Sequence, residues 1–473
     1  MSTTELKDGP AVGLGPGAGA RVIAPSPGEA ARFKPLLAWY AVTMVALVTV
    51  FGQIDYGIMS LLAGSIKKDL HLGDTQLSLL MGIAYAGAYM CAGIPMARLT
   101  DVKRRTFILS GALAVWSIGA ALCGLARNFG QFFLFRAITG GGVSVKGPTS
   151  VSIIPDLVVK EKLPTAFGIY NIAVNGGQSL SLIIGGLVLG AFVRHAPVQL
   201  PGVGVLHPWQ MVFLLMGIPG VLFALFFVLT VPEPARHGRK RQGSAPVKEV
   251  AKFLFWSRTA RVFIPIILGT ALSGIYAAGI GQWRPVFFER TYGFPAHEYG
   301  KLMGSITLIS NPLAILLGAF IAERLARRAY DAHIRLVVIM HFLMIPLAVM
   351  SPLMPSWQLA MGVQVLSMAM LMMSAPSSLA AMQIITPNEM RGQVNAVYML
   401  TISVIGNAAG PTVVALTEGF FHGDSALRYA MAASAAVATP LTLFCLWWAR
   451  KPYGELHREI VEAEQGARPA PTR

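Results

Sequence analysis

Long apolar stretches recur along the whole of this chain, and each holds about 18 or more residues. A helix of that length crosses the hydrocarbon core of a bilayer, which is about 30 Å thick. In lipid every backbone N–H and C=O group must be satisfied within its own segment, which helices achieve and open sheets do not. Only 13 % of the residues are charged, whereas soluble proteins carry about 25 %. The sequence therefore predicts an all-α membrane protein.

The apolar stretches form twelve predicted spans, six on each side of a long loop. Numbered in order as spans 1 to 12, their predicted bounds are 37–63, 75–97, 106–126, 131–154, 164–193, 208–231, 261–288, 298–322, 334–353, 357–384, 392–417 and 427–449. The predicted organisation is a disordered tail over 1–35, an N-terminal six-helix bundle over 36–231, a linker over 232–260, a C-terminal six-helix bundle over 261–450 and a second tail over 451–473.

Basic residues are concentrated in the loops that follow even-numbered spans. They occupy positions 103–105 after span 2, and Arg324, Arg327 and Arg328 follow span 8. The linker and the tail after span 12 are also basic, whereas the loop between spans 9 and 10 carries no cation. Cytoplasmic loops carry an excess of Lys and Arg, so we expect both termini and the linker in the cytoplasm. Membrane orientation therefore explains the net charge of +16 better than binding to nucleic acid does.

The two halves of the chain repeat each other at a nearly constant offset. Three sets of residues recur after 222 or 228 positions: Asp101 and Glu323, Pro148 and Pro376, and Glu161 with Tyr170 matching Glu389 with Tyr398. Such a repeat predicts two pseudo-symmetric bundles. In transporters with repeated halves the substrate site lies near the bilayer midplane, between the repeats.

The loops that close spans 2 and 8 share an acid followed by basic residues, ARLTDVKRR at 97–105 and AFIAERLARR at 319–328. They resemble the signature loop of the major facilitator superfamily, G-x-x-x-D-R-x-x-R-R. In that family the acid and the basic residues form a latch at the cytoplasmic face. The resemblance implies gating roles for Asp101, Arg104, Arg105, Glu323, Arg324 and Arg327. Both loops depart from the pattern, because alanine stands at each glycine position and Val102 replaces the first basic residue.

Further segments resemble the spinster-like branch of that superfamily. They are Ile54-Asp55 in span 1, LSLLMG at 77–82 and AGIPMARL at 92–99 in span 2, VWS at 115–117 and LCGLA at 122–126 in span 3, RAITGGG at 136–142 in span 4, and IGN at 405–407 with SALRY at 425–429. Animal members of the branch move lipids such as lysophospholipids. The resemblance implies a multi-pass transporter of the bacterial inner membrane. Where the branch places a Glu after the span 4 glycines, this chain has Val143, and Lys146 lies outside the branch pattern.

Three ionisable residues lie inside predicted spans of the first half, where a charge at the bilayer centre costs about 2.5–3.5 kcal/mol. Asp55 is either a proton-coupling site or a structural partner of Arg136. Arg136 either binds the substrate, since its planar fork suits a carboxylate, or reaches outward to the interface. Lys146 points either into the cavity or toward a carbonyl-lined gap. Two cations beside one acid favour an anionic substrate.

Polar residues on other spans complete the predicted substrate site. In span 5 they are Tyr170, Asn171, Asn175 and Gln178, the last three on one helical face, which is either a cavity wall or a helix-packing surface. In the second half they are Tyr276, Gln282, Trp283, Arg284, Asn311 and Tyr398. For Arg284, an interfacial position is an equal alternative.

Cofactors and enzymatic activity find no support in the sequence. Cys91, Cys123 and Cys445 lack metal-ligand spacing, so we expect no metal site. The glycines at 140–142 follow no strand and precede no Gly-Lys-Ser, so they form no nucleotide-binding loop. We predict no cofactor, no nucleic-acid partner, no catalytic residues and a monomer in the lipid bilayer.

The predicted function is secondary active transport of a small organic anion by alternating access, with uptake as the expected direction. Proton-linked symport through Asp55 is compatible with the sequence and is not required by it. The alternative is a transporter or exporter of a lysolipid or of another amphipathic, drug-like molecule, which the spinster resemblance supports.

Overall fold

The computed structural model of the protein describes residues 35–159, 162–193, 198–200, 204–234, 247–387, 390–423 and 425–466. Residues 1–34 of the predicted N-terminal tail and residues 235–246 of the linker lie outside this range. So do Glu161 and Glu389, and the side chain of Asp101 is not described either.

The observed helices follow the predicted spans closely. In chain order, spans 1 to 12 are Pro35–Asp69; Asp74–Met81 with Ile83–Val102; Arg105–Cys123; Phe129–Val143 with Lys146–Leu157; Leu163–Val193; Pro208–Thr230; Ala260–Gly274 with Ile275–Ile280 and Gly281–Tyr292; Ala296–Ala326; Ala332–Met350 with Ser351–Leu353; Trp357–Ile384; Arg391–Thr401 with Ile402–Ala408 and Gly410–Glu418; and Ala426–Gly466. A short antiparallel hairpin, Val198–Leu200 with Gly204–Leu206, precedes span 6.

Ten of these spans, within the described residues, are helical runs long and apolar enough to cross a membrane. Spans 2 and 4 each consist of two shorter helices, which are separated at Gly82 and at residues 144–145. The ten continuous and two interrupted spans make up the predicted twelve. The predicted fold class, an all-α membrane protein of two six-helix bundles, is confirmed.

Spans 7 and 11 each contain one wide, π-helical turn, Ile275–Ile280 and Ile402–Ala408. The two spans touch beside these turns through glycines. A Cβ on Gly274 would lie 2.9 Å from the Cα of Gly406, and a Cβ on Gly279 would lie 2.7 Å from the carbonyl oxygen of Gly410. Only glycine permits so close an approach of two helix backbones.

The two bundles pack against each other toward one end of the molecule, called here the closed end, where span 1 ends and span 2 begins. A Cβ on Gly304 of span 8 would lie 2.8 Å from the carbonyl oxygen of Ser179 in span 5. A Cβ on Gly82 would likewise collide with the carbonyl oxygen of Ala408 in span 11. The halves are therefore in backbone contact through spans 5 and 8 and through spans 2 and 11.

Ion pairs join the halves at the closed end, in what we call the closed-end network (Lys67, Asp74, Arg290 and Glu418). Asp74, at the start of span 2, accepts from Lys67 Nζ and from Arg290 Nη2, each over 2.6 Å. Arg290, at the end of span 7, also donates to Glu418 Oε1 over 3.1 Å. These side chains are partly exposed, so the network contributes modestly to stability but fixes which surfaces meet.

At the opposite end, called here the open end, polar residues of span 5 are exposed between the halves. Asn171 and Gln178 are both exposed although they lie on a membrane-spanning helix. Gly168 in span 5 and Gly392 at the start of span 11 have no atom within 4 Å of the place where a Cβ would stand. The space between the halves therefore widens toward the open end.

The outer surface of the bundle is apolar. Leu222, Leu225 and Leu229 of span 6 and Leu313 and Leu316 of span 8 are all exposed at helical spacing. Large contiguous apolar surface is unfavourable in water, and lipid chains are its natural surroundings. The surface thus agrees with the predicted multi-pass membrane protein.

Two helical segments were missed by the sequence analysis. Val247–Phe255 forms a helix inside the predicted linker, and span 12 continues through the predicted C-terminal tail as far as Gly466. Tyr453, Leu456 and Ile460 of that extension repeat at helical spacing and pack into the same apolar cluster as the linker helix. Their mutual packing stabilises two charged segments that were read as irregular chain.

Candidate functional site

A cavity of about 160 Å³ lies between the two bundles, between the closed end and the widening space at the open end. Both halves form its wall. Its polar lining comprises Tyr56 and Ser60 of span 1, Asn175, Gln178 and Ser179 of span 5, Gln282 and Arg284 of span 7, and Tyr299, Thr307 and Asn311 of span 8. Its apolar lining includes Met303, Met368, Leu371 and Met372. A cavity shared by two repeats fits the midplane position predicted for a substrate.

Arg284 is the cation of this cavity. The residue is only 6 % exposed, so it does not occupy the interfacial position that the sequence left open. Its Nη1 lies 3.1 Å from the sulfur of Met368. Within the described part of the chain, Arg284 makes no ion pair with a carboxylate. A buried guanidinium with no anion beside it is energetically unfavourable, so a bound anion would be favoured here.

The neighbours of Arg284 on span 7 orient it. The guanidinium carbon lies 6.0 Å from the centre of the Tyr276 ring, an arrangement that favours a cation over an aromatic face. The Tyr276 hydroxyl in turn contacts Ser367 of span 10. Gln282 lines the cavity next to Tyr56 of the other half. Tyr276 therefore positions Arg284 from behind and is not part of the lining itself.

Trp283 and Tyr398 do not reach the cavity. Trp283 is fully buried, and its indole N–H donates to the carbonyl oxygen of Pro411 over 2.9 Å, so it packs span 7 against span 11. Tyr398 is buried in the apolar cluster of the second half near the open end. Both were predicted to bind substrate because they are polar aromatics inside spans. In the structure they fill the bundle interior instead.

Span 5 contributes polar groups from the first half. Asn175 and Gln178 lie on the cavity wall, and Asn311 of span 8 also lines the cavity. Asn171 lies one turn nearer the open end, where it donates to the Phe167 carbonyl, and Tyr170 packs within the first bundle.

Asp55 and Arg136 form a buried ion pair inside the first bundle. Arg136 Nη1 lies 3.4 Å from Asp55 Oδ2, and Arg136 is 0 % exposed, so it does not reach outward to the interface. The Arg136 guanidinium also lies 4.8 Å from the centre of the Tyr85 ring. Asp55 Oδ1 and the Nε and Nη2 atoms of Arg136 have no hydrogen-bond partner. Because these polar atoms are buried without hydrogen-bond partners, binding of a proton or a water molecule here would be favourable.

The Asp55–Arg136 pair is separate from the central cavity. Asp55 borders a second space of about 220 Å³ between spans 1, 3, 5 and 6, which Trp116 and Phe213 also line. Arg136 lines neither space. The pair therefore lies beside the cavity, on the far side of span 1, rather than in its wall.

Lys146 begins the second helix of span 4 and reaches span 1. Its Nζ donates to Gln53 Oε1 over 3.1 Å, and Gln53 Nε2 donates to the carbonyl oxygen of Val174 over 3.0 Å. The ammonium is largely buried, and within the described residues it makes no ion pair. Lys146 thus connects spans 4, 1 and 5 through one glutamine, and it does not line the central cavity.

Among the described side chains, which do not include that of Asp101, no ion pair joins two of the predicted gating residues. Arg105 is buried and donates to Asp156 Oδ2 over 2.6 Å and to Glu233 Oε1 over 3.1 Å, both in or next to the first bundle. Arg104, Glu323, Arg324 and Arg327 are exposed. Arg324 lies over the ring of Phe320, with 5.1 Å between its guanidinium carbon and the ring centre. Within the described ranges, the ion pairs that join the halves lie at the closed end.

Several groups at the site were not predicted from the sequence. Tyr56, Ser60, Tyr299 and Thr307 line the cavity, and Ser179 and Thr307 share a hydrogen bond of 3.0 Å across the two halves. No periodic pattern distinguished these residues from packing residues. The closed-end network had a usable signal, because its charges flank the ends of spans in opposite halves.

Comparison with known proteins gives consistent similarities. The profile of the Major Facilitator Superfamily matches residues 45–411. An MFS-type efflux pump of Mycolicibacterium smegmatis is 26 % identical over 439 residues, covering 92 % of this chain and 97 % of that protein. The hexuronate transporter of Escherichia coli K12 is 20 % identical over 305 residues, covering 60 % and 65 %. The crystal structure of a bacterial homolog of the human lysosomal transporter spinster, inward-facing and occupied, matches with a TM-score of 0.74 and 23 % identity, covering 93 % of this chain and 100 % of that one.

Proposed function

Because the chain belongs to the Major Facilitator Superfamily, we propose that it is a secondary active transporter that moves a small organic anion across the membrane by alternating access. Family membership makes it a multi-pass membrane transporter of small molecules and not an enzyme. The similarities also confirm the predicted spinster-like resemblance. The proposal adds the class of substrate and the coupling of its transport to protons.

The proposal of an anionic substrate rests on Arg284. It is a buried cation in the wall of the central cavity, and no carboxylate pairs with it in the described part of the chain. A substrate carboxylate would supply the missing charge through two parallel N–H···O bonds, which the guanidinium fork favours. Arg136 does not serve this purpose, because Asp55 already occupies it.

The size and lining of the cavity favour a small polyhydroxylated acid. Its volume of about 160 Å³ is similar to that of an engineered protein cavity of about 150 Å³ that holds benzene. Asn175, Gln178, Gln282 and Asn311 offer amide donors and acceptors for hydroxyl groups. A sugar acid combines one carboxylate with several hydroxyls, and the hexuronate transporter of Escherichia coli is among the similar proteins.

Proton coupling is assigned to Asp55 in this proposal. The carboxylate is buried beside Arg136, and one of its oxygens lacks a partner. Protonation would weaken the ion pair across spans 1 and 4, and span 1 also carries Tyr56 and Ser60 of the cavity wall. A change in the charge of Asp55 would therefore act on the cavity wall through span 1, which carries both Asp55 and the cavity residues.

Alternating access follows from the asymmetry between the two ends. The halves touch at the closed end through glycines and ion pairs, and they separate toward the open end. The basic loops lie at the open end, so the positive-inside rule assigns that end, together with both termini, to the cytoplasm of the bacterial inner membrane. In this proposal the chain is in an inward-facing state, and we expect it to act as a monomer.

A second candidate is transport of an amphipathic molecule. Met368, Leu371 and Met372 give the cavity a flexible apolar wall of the kind that accommodates varied ligands. The efflux pump of Mycolicibacterium smegmatis is similar over nearly the whole chain. This candidate does not explain the unpaired Arg284, which is why the anion is preferred.

Uptake into proteoliposomes tests the proposal. Labelled glucuronate is compared with glucose, which matches its size and hydroxyls but lacks the carboxylate, and with a lysophospholipid. We expect saturable glucuronate uptake, no glucose uptake, and a loss of about 10- to 100-fold in Arg284→Gln, since a hydrogen bond to a charged group contributes about 1.5–3 kcal/mol.

The matched control is Arg261→Gln, which removes an exposed cation from the same span outside the cavity. It should transport like the wild type. Glucuronate uptake that survives Arg284→Gln unchanged would refute the anion site. Lysophospholipid movement without glucuronate uptake would replace the proposal with the second candidate.

A further inference from the structure

Another cavity, larger than the central one, lies at the open end of the second bundle. It measures about 690 Å³ and lies between the start of span 9 and the point where span 12 continues into its charged extension. Four cations line it: Arg335 from span 9, and Arg450, Lys451 and Arg458 from span 12. Two acids, Asp331 and Glu455, line it as well, so the cations outnumber the acids by two. Nothing in the proposed transport step uses this cavity.

Asp331 holds two of the three arginines in place without fully occupying them, and the third, Arg458, has its Nε 3.6 Å from Glu462 Oε1 on the exposed side of the helix. Asp331 Oδ2 accepts from Arg450 Nε over 2.6 Å, and Asp331 Oδ1 lies 3.0 Å from Arg335 Nη2. The two terminal amino groups of Arg450 make no hydrogen bond among the described residues. Lys451 is exposed and makes no ion pair there either. Preoriented donors of this kind suit an anion with several oxygens.

The lipid side of the cavity is marked by aromatic residues. Trp447 and Trp448 line it and are 60 % and 61 % exposed. They lie one helical turn before Lys451, where span 12 leaves its apolar stretch. Tryptophans concentrate at the level of the lipid headgroups, and basic residues just beyond them meet the phosphates.

We propose that this cavity binds the headgroup of an anionic phospholipid of the adjacent leaflet. The phosphodiester would face Arg450, Lys451 and Arg458, and the glycerol and upper chains would pass between Trp447 and Trp448 into the bilayer. Span 9 and the extension of span 12 meet closely here, because a Cβ on Gly454 would lie 3.2 Å from the Cβ of Asp331. A lipid bound at this junction would join the membrane-embedded bundle to its cytoplasmic extension.

Native mass spectrometry of the full-length protein in detergent tests the site. Phosphatidylglycerol and phosphatidylcholine with identical chains are titrated separately, and the affinity for the first bound lipid is measured. We expect wild type to prefer phosphatidylglycerol by at least about 10-fold. Each Lys or Arg near an anionic headgroup accounts for roughly a fivefold change in affinity, so Lys451→Gln with Arg458→Gln should weaken its binding about 30-fold.

The control double variant is Lys248→Gln with Arg261→Gln. It removes the same charge from exposed positions at the same end of the molecule. A second variant, Lys451→Arg with Arg458→Lys, keeps the charge and should keep the affinity, which separates charge from folding. Melting temperatures of all variants are compared with that of the wild type.

Three outcomes would overturn the proposal. They are equal affinity for the two lipids, an equal loss in the control double variant, and displacement of phosphatidylglycerol by millimolar inorganic phosphate, which would identify a site for a free anion. None of these outcomes depends on transport of glucuronate, so the proposal stands or falls separately from the proposed function.

Discussion

Arg290 at the end of span 7 donates through Nη2 to Asp74 Oδ1 at the start of span 2 over 2.6 Å, and this ion pair connects the two halves of the chain. Arg290 also reaches Glu418 at the end of span 11, and Lys67 at the end of span 1 reaches Asp74. The closed-end network thus crosses between the bundles at the end where the two halves are in contact. Its charges must separate before that side opens.

Loss of the network should favour opening of the closed end. In Asp74→Asn we expect the population open at that end to rise about two- to fivefold, since a partly exposed ion pair contributes about 0.2–1 kcal/mol. Distances between spin labels at Leu125 and Phe420, both exposed in closed-end loops, report the opening after the three native cysteines are replaced. Glu298→Gln, which removes an exposed carboxylate at the same end, should leave the distances unchanged. The idea fails if both variants behave alike.

The contact between spans 5 and 8 gives a second way to shift the equilibrium between the closed and opened arrangements of the closed end. A Cβ added by Gly304→Ala would lie 2.7 Å from Cγ1 of Ile183 and 2.8 Å from the Ser179 carbonyl oxygen. Overpacking of this kind costs about 1–3 kcal/mol, and here it penalises only the closed arrangement. We expect longer spin-label distances at the closed end and slower transport.

Gly362→Ala in span 10 is the matched control for the helix-stabilising effect of alanine, because no atom lies within 4 Å of its Cβ position. Unchanged label distances in Gly304→Ala would show that the two spans separate independently of this contact.

Asp55→Asn should separate proton coupling from substrate exchange. We expect uptake driven by a pH gradient to disappear, while exchange of labelled for unlabelled substrate continues, since the central cavity is intact. Removing one member of a buried ion pair costs about 3–5 kcal/mol, so Asp55→Asn should also melt at a lower temperature.

The double variant Asp55→Asn with Arg136→Gln serves as the folding control. It removes both charges and should recover most of the lost stability without recovering gradient-driven uptake. If the double variant recovers coupling, the proton is carried elsewhere.

Glu233 predicts a pH-dependent contribution to stability. Burial acts to raise the pKa of its carboxyl, but hydrogen bonds from the backbone N–H and hydroxyl of Thr106 and from Arg105 outweigh burial, so the pKa lies below the ordinary value of 4.5. A carboxyl with a lowered folded-state pKa stabilises the fold above its unfolded-state pKa and loses that effect as the pH falls through the folded-state pKa. Glu233→Gln should therefore lower stability by about 1–3 kcal/mol near neutral pH.

The difference between wild type and Glu233→Gln should shrink as the pH falls below 4.5, which melting curves over a pH series would show. Glu249→Gln on the linker helix removes an exposed carboxylate and provides the comparison. A difference that stays constant with pH would mean that Glu233 contributes packing rather than charge.

The sequence predicted the number and placement of the spans because bilayer thickness fixes helix length. It offered the pairing of Asp55 with Arg136 as one of two alternatives, since opposite charges buried in lipid stabilise each other, and the structure contains that pair. It could not separate Trp283 from Arg284, because adjacent polar residues in an apolar span have the same hydropathy signature whichever one faces inward. The sequence left the direction of Lys146 open between the cavity and a carbonyl-lined gap, because its partner Gln53 carries no charge that a sequence pattern would reveal.

The wide turn Ile275–Ile280 in span 7 determines which side chains of that span face the central cavity. Such a turn holds one residue more than an α-turn, so everything beyond it is rotated by about 100°. With that rotation, Arg284 faces the central cavity and Trp283 faces the packed interior. A relative with the same residues but an unbroken α-helix would present a different side chain to its substrate. The side chains that span 7 presents to the cavity thus depend on helical spacing as well as on residue identity.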